Sequence, residues 1–361
     1  MSEAPSWSAV VMPCLNEEGY LAAACASLGF GGGASATPLR CRLILVDNGS
    51  TDGTLDVCRT LQGELGELVV IVQESVRGHV PARHRGNLEA ARIAAGDGIP
   101  PGQAVIIQAD ADTEYSPGYV DRVRAAYCGA PVVGRFVQAI TLPPSDLLDT
   151  YPGVFAVMDV VDRSVVARFG LQEYDFVVDD KACAYGLDDY FTYGGHRREF
   201  FDDGTEILAE TTRLMIASQA LGLKNVEISE ATVVHSQRRL FDHAAEHLAT
   251  AGFPYTASKA FPGVRPVTLE KLESMALAGG SEIVESIAAM RAAHLVALMV
   301  LLPAQVIRAC TGELPTDSYV RRILQDIPVR SIDEVAATPG RLLADVLDLA
   351  WDTGPPGLAC W

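Results

Sequence analysis

Four short apolar runs, each followed by a helix-forming stretch, constrain this chain more than any other feature. They are Ser8–Met12, Leu43–Val46, Leu68–Val72 and Ala104–Gln108. Between them lie an Ala-rich segment ending at Ser27 with Asn16 as its expected N-cap, a segment carrying Leu55, Val57, Cys58 and Leu61, and Arg83–Ala95. Continuous apolar strands separated by helices predict a parallel sheet covered on both faces. Such sheets bind ligands in the crevice beyond the carboxyl ends of their strands. The polar residues directly after each strand are therefore the ones to weigh.

Beyond about Phe241 the pattern becomes helical, with Leu269–Ala278, Glu282–Cys310, Asp317–Gln325 and Arg341–Trp351 as expected helices. The apolar run Leu295–Ala304 is half the roughly 20 residues a bilayer requires, so a buried helix and no transmembrane segment are expected. Met1–Trp7 lacks the basic and apolar pattern of a leader, which points to the cytoplasm. The eight cysteines form no C-x-x-C pair and are expected to be buried, reduced thiols. A formal charge of −18 argues against unspecific binding to nucleic acid or anionic lipid.

Three of the four strand ends carry carboxylates. The first is followed by Pro13-Cys14-Leu15-Asn16-Glu17-Glu18, the second by Asp47-Asn48-Gly49-Ser50-Thr51-Asp52, and the fourth by Ala109-Asp110-Ala111-Asp112. In an extended segment Asp110 and Asp112 share one side while Ala111 points away. Two converging carboxylates repel unless a cation lies between them, and such donors suit Mg²⁺ or Mn²⁺ shared with a phosphate. Solvated loop carboxylates are the bland alternative, against which stands the position after an apolar strand. Asp47 at the crevice mouth can accept hydrogen bonds from a nucleobase, while Ser50 and Asp52 are expected to cap the next helix.

In order along the chain, Met12-Pro13-x-x-Asn16-Glu17-Glu18, Val46-Asp47-Asn48-Gly49-Ser50-Thr51-Asp52-Gly53-Thr54, Ala82-Arg83-x-x-Gly86 and Asp110-Ala111-Asp112 resemble the family 2 glycosyltransferases. The resemblance implies a GT-A fold: an α/β, Rossmann-like, mostly parallel sheet flanked by helices, with an α-helical C-terminal region. It covers roughly residues 8–240, and with the change to helical pattern this sets a catalytic domain over 1–240 and a helical region over 241–361 expected to cover an acceptor, make an oligomer contact such as a homodimer, or dock on a membrane. It further implies nucleotide-sugar contacts from Pro13, Asn16, Glu17, Asp47, Asn48, Ser50, Arg83, Asp110 and Ala111, with Asp110 and Asp112 holding Mn²⁺ or Mg²⁺ on the diphosphate. The donor would be a UDP- or GDP-sugar, and the acceptor a small molecule or a lipid-linked one.

On the acceptor side, Gly194, Gly195 and His196 resemble a Gly-rich family segment, and Glu210-Thr211 stands where many members carry Glu-Asp. With Thr211 in place of the Asp, Glu210 is the candidate general base of an inverting transfer, and Asp203 and Glu206 are its alternatives. Ala231–Arg239 resembles the end of the family's catalytic domain. There His235 would be the third cation ligand, its nitrogen favouring Mn²⁺, and Arg238 and Arg239 would face the diphosphate. Two other functions fit the pattern: a retaining GT-A enzyme acting on a small organic acid, and a catalytically idle GT-A-fold binding protein. His243-Ala244-Ala245-Glu246-His247 fits the H-x-x-E-H pattern of zinc peptidases without a distal acidic ligand.

Overall fold

The computed structural model describes residues 7–31, 40–129, 135–142, 145–171, 178–202, 204, 206–207, 209–222, 224–250, 267–325 and 327–353. The chain divides into two compact units, the first made of Met1–Leu142, Val178–Arg198 and Glu210–His235, the second of Pro143–Val177, Glu199–Ala209 and Ser236–Trp361. The first unit therefore ends five residues before the expected boundary at 240, and two earlier segments group with the second.

The chain starts as an alternation: β1 (Trp7–Cys14), α1 (Leu21–Ser27), β2 (Cys41–Asp47), α2 (Thr54–Leu65), β3 (Val69–Gln73), α3 (His79–Gly96) and β4 (Ala104–Gln108). Next come β5 (Thr113–Tyr115), α4 (Tyr119–Gly129) and β6 (Arg135–Leu142), followed in the second unit by α5 (Ser145–Thr150) and α6 (Pro152–Phe169). The first unit is completed by β7 (Cys183–Gly186), α7 (Leu187–Thr192), α8 (Glu210–Ala220) and β8 (Lys224–His235). The four apolar runs are β1 to β4, and they lie in parallel in the order β3-β2-β1-β4. Every residue of β4 is buried, as a strand covered on both faces requires.

One face of the sheet packs Val10, Met12, Leu43, Leu45 and Ile107 against Leu21, Cys25, Cys58, Tyr119 and Val123 of the flanking helices. Against the other face α3 presents Ala82, Gly86, Ala90 and Ala94, a row of small buried residues at four-residue spacing. This row lets helix and sheet approach closely: a Cβ at Gly86 would lie 2.3 Å from Val11 Cγ1 and 3.0 Å from Val46 Cγ2. The α1 helix starts at Leu21 rather than after Asn16, which instead adopts a left-handed φ of 58° within a turn.

The sheet continues as β7-β6-β8-β5 beyond β4. β7 runs antiparallel to β4 and to β6, β8 is parallel to β6, and β5 is antiparallel to β8. These directions place the ends of β1, β2, β4, β6 and β8 on one edge of the sheet, together with the starts of β5 and β7. The fold is a mostly parallel α/β sheet flanked by helices.

The second unit is helical, adding α9 (Arg238–Asp242), α10 (Ala244–Ala249), α11 (Leu269–Ala278), α12 (Glu282–Val296), α13 (Leu302–Thr311), α14 (Ser318–Leu324), α15 (Ile332–Ala337) and α16 (Pro339–Thr353). Its core joins Val154 and Met158 of α6 to Leu248, Leu272, Ile287 and Met290. Polar contacts fix α6 there as well. The Glu273 carboxylate accepts from Gly153 N and Val154 N, both at 2.8 Å, and Arg291 holds both oxygens of Asp162. A carboxylate on the first-turn N–H groups satisfies donors that a helix leaves open. These pairings cross more than a hundred residues of sequence, which is why the grouping of α6 could not be read from local pattern.

The segment Glu282–Thr311 is long and apolar enough to cross a membrane, with a mean hydropathy of 1.9, and 83% of its most apolar window is buried within the protein. A π-helical turn, Ala297–Leu301, precedes Pro303, whose missing N–H breaks the regular ladder. Five of the described cysteines are buried and free as expected, Cys128 is half-buried, and Cys310 is exposed, a departure from that expectation. Cys360 lies outside the described residues.

Candidate active site

The loops after β1, β2 and β3 are stitched together by the polar residues of the first two motifs. Asn16 N donates to Ser50 Oγ at 3.2 Å, and Asn16 Oδ1 accepts from Thr51 N at 2.8 Å. Glu17 N donates to Thr54 Oγ1 at 2.7 Å. Asn48 Nδ2 donates to the carbonyls of Glu74 and Val76, while its Oδ1 accepts from Gly78 N. Pro13 pairs in register with Val46, one pair before the end of the two strands. Asp47, 4% exposed, accepts from Ser50 N at 3.0 Å through one oxygen. Asp52 does not cap α2, whose N-cap is Gly53; it closes a turn onto Thr54 N and Thr54 Oγ1. Loop fixation is thus the first thing Asn16, Asn48 and Ser50 do.

Arg83 is the centre of the polar edge. It is 1% exposed, and each guanidinium nitrogen has a protein acceptor. Nε donates to Glu210 Oε1 at 3.2 Å, Nη1 to Gln108 Oε1 at 2.9 Å and Nη2 to Asp110 Oδ1 at 2.7 Å, with Asp180 Oδ2 4.0 Å from Nη2. Burial works against ionisation of Asp110, but Arg83, with Lys181 and His79, outweighs it and holds that carboxyl below the usual range. Glu210 follows the same logic: burial raises it, and Arg83, ahead of His79, brings it below its ordinary value. Asp180 goes the other way, pushed up to about 8 by burial and by the neighbouring Glu210.

Ala111 is buried in the core rather than open to a nucleotide, and it lies with Asp112 in a turn rather than an extended segment. Asp110 N donates to Tyr115 Oη at 2.9 Å, which fixes the turn between β4 and β5. His235 ends β8 opposite Thr113, so it lies one register position from Asp112. Among the described residues no three His, Cys, Asp or Glu side chains converge for a metal ion. Asp110 is paired with Arg83, and Asp112 and His235 occupy neighbouring register positions.

Sequence reasoning missed Asp179, Asp180 and Lys181. They precede β7 instead of following a strand. Because β7 runs antiparallel, its start faces the same edge as the end of β4. Lys181 Nζ donates to Asp179 Oδ1 at 2.5 Å, and Asp179 Oδ2 accepts from Thr141 Oγ1 at 2.5 Å. Burial would lower Lys181, but Asp179, Asp110 and Asp180 hold it charged. The available signal was two acids and a lysine just ahead of a short apolar strand.

Glu210 opens α8 and is 5% exposed. Beside it, Thr211 Oγ1 lies 3.3 Å from His196 Nε2. His196 is buried, its pKa lowered to about 3 by burial, and its backbone N donates to Tyr190 Oη. A buried ladder continues through Asn87, Tyr185 and Gln108: Gln108 Nε2 donates to Asn87 Oδ1 and Tyr185 Oη, and so the ladder returns to Arg83. Gly194 and Gly195 bring the chain into it with φ of 84° and 67°, conformations that favour glycine. Arg238 and Arg239 open α9 in the second unit, where Glu206 bridges Phe200; Asp203 lies outside the described residues. His243 precedes α10 as its N-cap, so it does not share a helical face with His247.

Fold and edge together give a mostly parallel α/β sheet with a buried polar cluster along one edge. Residues 9–141 match the family model described as Glycosyl transferase family 2. A 57-residue stretch is 42% identical to the succinoglycan biosynthesis protein ExoA of Rhizobium meliloti, covering 16% of this chain and 16% of that protein. Among solved structures, the mannosyltransferase PcManGT of Pyrobaculum calidifontis, in complex with GDP-Man and Mn²⁺, is similar at 17% identity and a TM-score of 0.48, over 96% of this chain and 87% of that one. TarS of S. aureus, in complex with UDP-GlcNAc, is similar at 10% identity and a TM-score of 0.45, over 96% and 89%.

Proposed function

We propose that this protein transfers a sugar from a nucleotide-diphospho-sugar to an acceptor hydroxyl. The observation that carries this reading is the convergence of Asp47, Asp110, Asp112, Arg83 and Glu210 on one sheet edge, within or beside the family 2 segment. Asp47 would receive the base, and Asp112 with His235 would hold Mn²⁺ or Mg²⁺ against the diphosphate. When bound, the cation stabilises the charge of the departing nucleoside diphosphate. Glu210 would accept the acceptor proton, its carboxylate kept ionised by Arg83.

A second reading, transfer with retention at the anomeric carbon, draws on the 5% exposure of Glu210 and its commitment to Arg83. Retention does not call for that base. The anomeric configuration of the product, read by NMR, decides between the two.

The direct test is thermal shift of the protein against UDP, GDP and dTDP, each with and without MnCl₂. A ligand that binds only the folded state raises the melting temperature. A metal-dependent rise with one diphosphate, lost in Asp112→Asn, is the expected result and names the base. No rise with any of them would leave the idle-scaffold reading standing instead.

A further inference from the structure

We infer that Arg83 is a positioning residue for Glu210, joining the base to the donor-side Asp110, rather than a contact of the nucleotide. This rests on the transfer reading above. The family resemblance placed Arg83 beside the nucleotide, but its three nitrogens are directed to Glu210, Gln108 and Asp110, and 1% of the residue is exposed.

The three acceptors come from different elements. Gln108 ends β4, Asp110 follows it, and Glu210 begins α8, 127 residues from Arg83 in sequence. Only a planar fork reaches all three with oriented donors; an ammonium is a point charge on a flexible stem. The guanidinium thus sets both where the Glu210 carboxylate lies and that it is charged. The other groups facing Glu210 are His79 at the start of α3, His196 after α7, and Asp180 ahead of β7. Of these, only Asp180 opposes ionisation of Glu210. Removing the guanidinium leaves Glu210, Asp110 and Asp180 as neighbouring acids with one compensating charge fewer, so Glu210 takes up a proton at higher pH.

The experiment compares the full-length wild type with Arg83→Gln and Arg83→Lys. Release of nucleoside diphosphate from UDP- and GDP-sugars with MnCl₂, water serving as acceptor, is followed from pH 5 to 9, and diphosphate affinity is measured by calorimetry. The expected result for Arg83→Gln is a diphosphate Kd within about threefold of wild type, kcat at pH 6 at least tenfold lower, and an acidic limb moved to higher pH. Arg83→Lys should restore the position of that limb but not the full rate. A tenfold or greater loss of diphosphate affinity with the acidic limb unmoved would overturn the inference while leaving the transfer reading intact. If Arg83→Gln does not fold, Arg83→Lys carries the test alone: a lower kcat at constant KM supports positioning, and a change in KM alone overturns it. A wild type that neither binds a diphosphate nor releases one sinks the transfer reading, and the inference with it.

Discussion

Glu210 and Asp110 are both carboxylates that burial would neutralise, and Arg83 is the largest of the charges that keep both ionised. Removing one partner of such a buried pair typically costs about 3–5 kcal/mol, because a charge is left without compensation. Glu210→Gln should therefore affect both function and stability: kcat lower by about 10²–10⁴-fold, diphosphate affinity unchanged, and a lowered melting temperature. A steady-state assay beside a calorimetric titration separates these effects, and an unchanged kcat would remove Glu210 from the role of base. For the cation, Asp112→Asn and His235→Ala should each weaken Mn²⁺ by at least about tenfold in the presence of the diphosphate, read by titration calorimetry. The acids after β2 and β4 were legible in the sequence because they follow apolar strands. The partners of Arg83 were not, since Glu210 and Asp180 reach it only through tertiary folding.

Among the elements, α3 is the one whose sequence is most tightly dictated by its neighbour. Its small-residue row meets β1 and β2 at Gly86, where a methyl group would overlap Val11. Gly86→Ala should destabilise the first unit by about 1–3 kcal/mol through overpacking, despite alanine's better helix propensity. Urea denaturation with an unchanged m-value would show it; a stabilised variant would mean that the helix can lift without loss. The parallel strands and this helix could be read from hydropathy alone, and β4 matches its expected run residue for residue. Strand direction could not. The start of β7 therefore brought Asp179, Asp180 and Lys181 to the edge unannounced, and the pull of Glu273 and Arg291 on α6 was equally silent in the pattern.

Across the whole molecule, each unit contains a buried neutral histidine. His196 is lowered to about 3 and His294 to about 4, in both cases chiefly by burial. Unfolded, each would protonate near pH 6.5. Below that value the unfolded chain binds more protons than the folded one, so stability falls as pH drops from about 6.5 toward 4, and these groups contribute no pH dependence above about 7. The depressed Asp110 and Glu210 add a loss of the same sign at the acidic end. Melting temperatures over pH 4–8 should show this slope, and His196→Gln should flatten part of it; an unaltered slope would mean that His196 is protonated in the folded protein.

The interrupted sheet also bears on how the protein is made. A nascent chain that has emerged as far as Leu142 has β1 to β4 and β6 but lacks Cys183–Gly186, the strand that lies between β4 and β6. Until it arrives, β4 carries an open row of N–H and C=O groups, the kind of edge that recruits foreign strands. Translation must first pass through 143–177, destined for the other unit, and must reach His235 before β5 has its partner. The two units are consequently interleaved in the order of synthesis, and the sheet of the first cannot close around β4 until part of the second has been made.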